Sequence, residues 1–197
     1  MDTKRVLDIA LGSIALAFTA PILAGAAIAM RLSGDRGTFL YRTQRVGEGA
    51  KVFTVVKVRT MVEGAAGPRL TMDRDSRITR VGRVLRRYRI DELPQLVSVV
   101  RGDMSLVGPR PEDPAFVDLS DPLHRRVFTA KPGMTGLAQL EFHDEADRLA
   151  GDDAEQRYRE EILPEKLALD AEYLDHRTTL LDLQIMLRTV RMMLRRA

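Results

Sequence analysis

The chain of 197 residues has room for one domain with its own core and one attached membrane element, which argues against a multidomain assembly. Its 31 Lys and Arg residues and 28 Asp and Glu residues give a net charge of +3, so total charge does not indicate a nucleic acid partner. The absence of cysteine excludes disulfides, thiolate metal sites and cysteine nucleophiles.

An apolar segment follows Asp8. Residues 9–30 carry no charge and are long enough, at about 1.5 Å per residue, to cross a bilayer core of roughly 30 Å. Three interpretations are open: a secretory signal, a single membrane span, and a re-entrant helix that returns to the side from which it entered. The signal is least favoured, because Asp8 lies inside its expected start and no clear cleavage site follows.

Pro21 and the flanking charges bear on the other two interpretations. Pro21 removes one backbone donor and predicts a kink near the middle of the segment. Lys4 and Arg5 precede the segment and Arg31 and Arg36 follow it, so positive charge at both ends favours two cytoplasmic ends. A kinked span stays open on these grounds, because membrane helices tolerate proline.

A hairpin and a basic helix are predicted next. Residues 39–46 and 52–59 are rich in β-branched and aromatic residues and flank a turn at 47–50, which predicts a short β-hairpin. From Thr79 an apolar stripe at helical spacing lies beside arginines: Val81, Val84, Leu85 and Tyr88, against Arg80, Arg83, Arg86 and Arg87. This amphipathic helix suits either a solvated surface or an anionic membrane surface.

Two adjacent carboxylates, Asp91 and Glu92, follow the basic helix. We expect Asp91 to open a second helix over 92–100 that ends at Gly102, with Pro94 accommodated in its first turn. The free N–H groups of a helix start favour an anion there. Such carboxylates are suited to attack phosphorus as a nucleophile, or to bind a divalent metal that shields a diphosphate. A purely structural cap is the alternative.

Other polar residues extend this candidate site. Arg110 lies between Pro109 and Pro111 on a stiff loop, which suits bidentate contact with phosphate, although an ordinary surface role stays open. Arg86 and Arg87 are candidates to add charge to the same pocket. The histidines lack metal spacing and are expected at the surface: His124, His143 and His176.

The last third of the chain is expected to be helical after a loop at 131–136. A mostly acidic stretch covers 141–161. Helices should resume from about Asp152, with a break at Pro164. The tail 180–196 carries Leu183, Met186, Leu187, Val190 and Leu194 at helical spacing above a basic end.

Six motifs occur in a fixed order along the chain. They are Lys4-Arg5 ahead of the apolar segment, YRTQRVG at 41–47, KVRTM at 57–61, DELPQL at 91–96, GDMSLVGPRP at 102–111 and KPGMTGLAQ at 131–139. In these motifs the chain resembles the bacterial sugar transferases, and specifically the small form of the monotopic phosphoglycosyl transferases. The resemblance runs over nearly the whole chain.

The resemblance implies a two-step reaction. Asp91 would attack the β-phosphorus of a UDP-sugar and release UMP, and polyprenyl (undecaprenyl) phosphate would then take the phospho-sugar from the enzyme. Glu92, with Asp91, would hold Mg²⁺. The implied substrate-binding residues are Arg86, Arg110 with its neighbours Pro109 and Pro111, and Gln139.

The resemblance also implies an architecture. Residues 1–36 would form a re-entrant membrane helix broken at Ala20 and Pro21, and residues 37–197 a cytoplasmic catalytic domain. We expect an α+β, mostly helical fold with a small hairpin and amphipathic surface helices, held monotopically on the cytoplasmic face of the bacterial inner membrane. Membrane lipids are expected partners and nucleic acid is not, while a homodimer stays open.

The chain departs from the family pattern in two informative places. Ala20 stands where many relatives have serine before the membrane proline. Leu140-Glu141-Phe142-His143 follow Gln139, where many relatives have Asn or Ser, Gly and Arg, so the sugar preference does not carry over. Two other functions stay open: a glycosyl transferase that releases UDP, and a non-enzymatic adaptor whose basic helix binds anionic lipid or nucleic acid.

Overall fold

The structure is a computed structural model that describes residues 2–72, 75–149 and 153–195. Over these residues the fold is mostly helical with two small two-stranded sheets, which confirms the expected α+β class. The elements are α1 (Thr3–Leu32), β1 (Leu40–Val46), β2 (Val52–Val58), α2 (Arg80–Arg87), α3 (Leu96–Arg101), β3 (Ser105–Val107), α4 (Pro122–Val127), β4 (Gly133–Thr135), α5 (Leu137–Glu141), α6 (Glu145–Arg148), α7 (Ala154–Arg157), α8 (Leu163–His176) and α9 (Thr179–Arg195).

The apolar segment lies within the long helix α1. Asp2 caps its start by accepting the Lys4 N–H, and the backbone stays helical to Leu32 with Pro21 inside it. The helical backbone runs through Ala20 and Pro21 without interruption, and the expected break of the membrane segment at these residues stays a prediction. Proline has a helix-compatible φ, and the one hydrogen bond it removes does not end a helix of 30 residues.

Both ends of α1 lie against the same folded body. Near its start the Lys4 ammonium donates to the Val107 carbonyl of β3 at 3.0 Å, and near its end Met30 is buried against Leu85 of α2. The other face exposes large apolar side chains: Ile14, Phe18, Ile22, Ile28 and Leu32. Among the described residues α1 is the one helix long and apolar enough to cross a membrane. Only 11% of its most apolar 18-residue stretch is buried in the fold.

The predicted hairpin and basic helix are confirmed. β1 and β2 pair antiparallel with Val46 opposite Val52, around a short 3₁₀ turn at Glu48–Ala50. Thr79 caps α2 by accepting the Gly82 N–H at 2.8 Å. Within the predicted apolar stripe of α2, Leu85 is buried whereas Val84 is 53% exposed.

The segment that carries the two carboxylates begins differently from the prediction. A 3₁₀ helix, Ile90–Gln95, precedes α3, and Asp91 lies inside its first turn instead of capping it. Arg89 has a φ of 52°, in the left-handed region, and its carbonyl accepts the Glu92 N–H at 3.2 Å. A tighter 3₁₀ turn, with Pro94 inside it, takes the place of the predicted α-helical start. Gly102 ends α3 at a φ of 102°, as predicted.

A parallel pair of strands, which the sequence did not predict, joins the two proline-containing loops. β3 pairs with β4, with Val107 opposite Thr135. Directly after β3, the backbone of Gly108 lies very close to Gly133 of β4. A β-carbon on Gly133 would lie only 2.1 Å from the Gly108 nitrogen. The loop 108–111 is thus held by close backbone packing against 131–136.

The helical last third is confirmed, with one correction. From Ala154 to His176 the chain is continuously helical through a π turn at Tyr158–Ile162, so Pro164 does not break it. In this turn the Leu163 N–H donates to the Tyr158 carbonyl, five residues earlier, and Pro164 in the next position removes only one further donor. α9 confirms the amphipathic tail, while Asp152 and Arg196 lie outside the described residues.

Candidate active site

Asp91 and Glu92 lie at the centre of a cluster of opposite charges. Asp91 is only 8% exposed. One carboxylate oxygen of Glu92 (Oε1) accepts from the Lys57 ammonium at 2.8 Å and from the Arg110 guanidinium at 3.2 Å. Arg89 lies 3.9 Å from the other oxygen. The hairpin, the 3₁₀ helix and the loop 108–111 therefore meet at this pair of carboxylates.

The two carboxylates differ in their ionisation. Burial opposes the charge on Glu92, but Lys57, Arg110 and Arg89 outweigh it and hold the pKa of Glu92 well below its ordinary value. Burial, and then the negative charge of Glu92, raise the pKa of Asp91 to about 6, against the opposing charges of Lys57 and Arg86. At neutral pH Glu92 is a fixed anion, and Asp91 is a carboxylate of raised basicity.

Arg86 approaches the same pair from α2. Its guanidinium donates to the Thr60 hydroxyl at 2.8 Å. Burial lowers its pKa, while the charges of Asp91 and Glu92 act against that change. The structure thus brings Arg86 to the carboxylates as predicted, whereas Arg87 is exposed and lies over the Tyr88 ring at 5.9 Å.

The Arg110 loop is fixed from two sides. The carbonyl of Pro109 accepts the Gly133 N–H at 2.7 Å, and the backbone N–H of Arg110 donates to Asp170 of α8 at 3.2 Å. The side chain of Arg110 remains 34% exposed beside Glu92. The charge of Glu92 raises the pKa of Arg110 above its ordinary value, so its positive charge is permanent.

Two buried polar groups lie behind the Arg110 loop. Gln139 is 3% exposed, and neither atom of its side-chain amide has a hydrogen-bond partner among the described residues. One oxygen of Asp170 likewise has none there. Burial raises the pKa of Asp170 to about 7. Gln139 lies beside the loop, because a β-carbon on Gly136 would meet both the Gly108 carbonyl oxygen and the Gln139 amide oxygen, and its role in substrate binding stays a prediction.

The donor set at the carboxylate pair is compatible with Mg²⁺, which commonly takes one or two protein carboxylates together with phosphate oxygens and water. Asp91 and Glu92 supply two such carboxylates. No group of three His, Asp or Glu side chains suited to a metal occurs in the described parts of the chain. These two residues alone therefore do not form a closed protein cage, and they would share a metal with the substrate.

Some members of this cluster were not assigned from the sequence. Lys57 belongs to the KVRTM motif, but nothing local linked it to a carboxylate 35 positions away. Asp170 gave no signal at all within its helix. The surface assignment of His124 is wrong, since it is 5% exposed and packs against the Phe128 ring, whereas His143 and His176 are exposed.

Comparison with known proteins adds to this geometry. A family model described as bacterial sugar transferase matches residues 1–196. A UDP-glucose:undecaprenyl-phosphate glucose-1-phosphate transferase from Caulobacter vibrioides is 40% identical over 192 residues, covering 95% of this chain and 68% of the relative. A UDP-N-acetylgalactosamine-undecaprenyl-phosphate N-acetylgalactosaminephosphotransferase from Aeromonas hydrophila is 35% identical over 196 residues, which is 97% of this chain but only 43% of the relative. The glucose-1-phosphate transferase of Escherichia coli is 33% identical, over 95% of this chain and 39% of the relative.

Proposed function

The chain belongs to the bacterial sugar transferase family, and from this premise we propose that it is a phosphoglycosyl transferase. It moves a sugar 1-phosphate from a UDP-sugar to undecaprenyl phosphate, an early membrane step in assembling a polysaccharide or another glycoconjugate. The observation that carries this proposal is the buried Asp91, raised in basicity and set beside the fixed anion Glu92 within a shell of cations. That arrangement suits covalent transfer of a phosphoryl group.

In the first step a carboxylate oxygen of Asp91 attacks the β-phosphorus of the UDP-sugar. The new bond is an acyl phosphate, the bond from that phosphorus to the bridging oxygen breaks, and UMP leaves with the electron pair. In the second step a phosphate oxygen of undecaprenyl phosphate attacks the same phosphorus. The acyl phosphate bond breaks, the Asp91 carboxylate is regenerated, and the product is an undecaprenyl diphosphate sugar.

The surrounding cations reduce the repulsion between an attacking anion and a diphosphate. Arg110 offers an exposed guanidinium on a rigid loop, and Lys57 and Arg86 add positive charge around Asp91. Glu92 holds Lys57 and Arg110 in place through its own hydrogen bonds. Mg²⁺ held by Asp91 and Glu92 would supply further charge neutralisation of the diphosphate.

The proposed location is the cytoplasmic face of the inner membrane, with α1 as a re-entrant segment. Both ends of α1 contact one folded body, which a straight span would separate by the thickness of the bilayer. Apolar side chains are also exposed on α2 and α9, next to arginines: Val84 on α2, and Leu180, Leu183, Leu187, Val190 and Leu194 on α9. Such faces suit the interface of an anionic membrane.

The proposal is tested by UMP release from purified enzyme in lipid nanodiscs, with Mg²⁺, undecaprenyl phosphate and a panel of UDP-sugars. We expect UMP from one or a few donors, and a loss of at least about 10³-fold in Asp91→Asn, since an amide is not a comparable nucleophile. Asp175→Asn is the matched control, because Asp175 is an exposed residue that pairs with Arg126 at the surface.

The same assay separates the alternatives. Release of UDP in place of UMP would indicate transfer of the sugar alone and refute the phosphoryl step. Near-normal turnover by correctly folded Asp91→Asn would refute the nucleophile assignment. An adaptor would show no turnover in either protein, and its lipid binding would tolerate the loss of an acidic charge.

A further inference from the structure

The segment after Gln139, which departs from the family pattern, folds beside the Arg110 loop. α5 ends at Glu141, Phe142 is buried in the main core, and α6 begins at Glu145. The Phe142 carbonyl accepts the Glu145 N–H at 3.1 Å. The position of Glu145 is thus fixed by a buried aromatic residue three positions earlier.

A buried ammonium group holds the Glu145 side chain. Lys166 of α8 is 4% exposed, and its Nζ donates to a Glu145 oxygen (Oε2) at 2.6 Å and to the Tyr158 hydroxyl at 2.9 Å. The Tyr158 hydroxyl in turn donates to Glu112, two residues after Arg110, at 2.7 Å. Because a buried charge without a partner is costly, the Lys166 ammonium holds the Glu145 side chain in this place.

The face of α8 that carries Lys166 also contacts the Arg110 loop. Lys166 and Asp170 are four residues apart, and Asp170 accepts the backbone N–H of Arg110 at 3.2 Å. The charge of Glu145 contributes, after that of Glu92, to raising the pKa of Arg110. The charges of two carboxylates therefore act on Arg110, namely Glu92 at the reacting centre and Glu145 on a different part of the fold.

Both Arg110 and Glu145 reach solvent. Their side chains are 34% and 29% exposed, whereas Lys166 below them is sealed from solvent. If Arg110 contacts the β-phosphate, the group attached to that phosphate is the part of the donor that Glu145 would meet. In a UDP-sugar that group is the sugar.

We propose that Glu145, held by Lys166, accepts hydrogen bonds from hydroxyl groups of the donor sugar and so determines which sugar the enzyme takes. This inference rests on the proposed function, since it assigns the sugar pocket of that same site. A carboxylate accepts hydrogen bonds but donates none when ionised, which suits hydroxyl groups and disfavours the diphosphate. Hydrogen bonds to a charged acceptor also discriminate more strongly than neutral ones.

The test is a thermodynamic cycle that combines a substitution at Glu145 with removal of one hydroxyl group from the donor sugar. The kcat/KM for UMP release is measured for the preferred UDP-sugar and for its monodeoxy analogues, in wild type, Glu145→Gln and Glu141→Gln. Glu141 is an exposed acid in the same segment and serves as the matched control. In wild type, removing the contacted hydroxyl should cost about 10- to 100-fold.

For that analogue we expect the penalty to shrink by about 10-fold in Glu145→Gln and to stay unchanged in Glu141→Gln, because the two partners are coupled. The ratio between analogues is independent of the fraction of enzyme that folds, so partial loss of stability does not imitate this result. Equal penalties in wild type and Glu145→Gln for every analogue would overturn the inference.

Failure of the proposed function has a different signature. If the wild type releases UDP, the phosphoryl transfer is refuted, while the same deoxy series still reports whether Glu145 contacts the sugar. If UMP is released and every deoxy penalty is additive with Glu145→Gln, the transfer stands and the sugar contact is refuted.

Discussion

Replacing Lys57 by methionine should move the pH dependence of the reaction. Lys57 bonds to Glu92 at 2.8 Å, and its charge lowers the pKa of Asp91 against the effects of burial and of Glu92. An opposite charge within about 4–6 Å lowers a carboxyl pKa by about 1 to 3 units. Because Glu92 is the nearer partner, we assign about 1 unit to Asp91.

The size of the effect follows from the Asp91 pKa of about 6. The nucleophile must be ionised, so kcat/KM rises with pH through the apparent pKa of the coupled pair in the free enzyme, before the donor and its Mg²⁺ bind. A shift to about 7 lowers the ionised fraction at pH 6 from about one half to about one tenth, and at pH 8 by only about a tenth. Lys57→Met should therefore lose about five-fold more activity at pH 6 than at pH 8.

The assay is kcat/KM for UMP release between pH 5.5 and 9. Lys57→Arg keeps the charge and should retain the wild-type profile, and Lys51→Met removes an exposed lysine from the same hairpin. A uniform loss in Lys57→Met, with the acidic limb of the profile unmoved, would refute the claim that Lys57 controls ionisation at this site.

Three other substitutions test the frame around the site. Gly133→Ala should destabilise the fold by about 1–3 kcal/mol in denaturant unfolding, because its β-carbon would meet the Gly108 nitrogen at 2.1 Å, whereas Gly25→Ala, with nothing within 4 Å, should not. Arg110→Lys should lower kcat/KM for the donor by about 10-fold, since lysine cannot reproduce a bidentate contact; unchanged kinetics would remove Arg110 from phosphate binding. Asp170 has a pKa of about 7, so the folded state keeps a proton that the unfolded chain loses and stability falls as pH rises from about 4 to 7. Asp170→Asn lacks this titration, so its stability relative to wild type in thermal melts should rise by up to roughly 3 kcal/mol between pH 5 and 8. If the stabilities of variant and wild type changed in parallel with pH, Asp170 would not be a buried acid of raised pKa.

Local patterns in the sequence predicted the elements that local chemistry determines. The hairpin follows from β-branched runs around a glycine turn, and α2 from its apolar stripe and the Thr79 cap. The stiffness of the Arg110 loop follows from its two prolines. These features need only residues a few positions apart.

Contacts between distant parts of the chain were not predictable in this way. β3 and β4 are three residues long each, too short for a periodic signal, and they are held together by the fit of two glycine loops. Lys57 and Asp170 reach the site from a strand and a late helix, and only the tertiary fold brings them to Glu92 and Arg110. The sequence predicts that Pro94 fits the first turn of an α-helix and that Pro164 breaks a helix, whereas a 3₁₀ segment contains Pro94 and a helix with a π turn continues through Pro164.

The clamp at the start of α1 has a consequence for how the protein is made. The Lys4 ammonium pairs with Asp182 at 2.6 Å across 178 positions of sequence. At about 5–20 residues per second, a ribosome needs on the order of 10 to 35 seconds to synthesise that interval. Because α1 is synthesised before α9, this ion pair cannot form until that interval has passed, so α1 has to be accommodated elsewhere before the contact with Asp182 holds it in the fold.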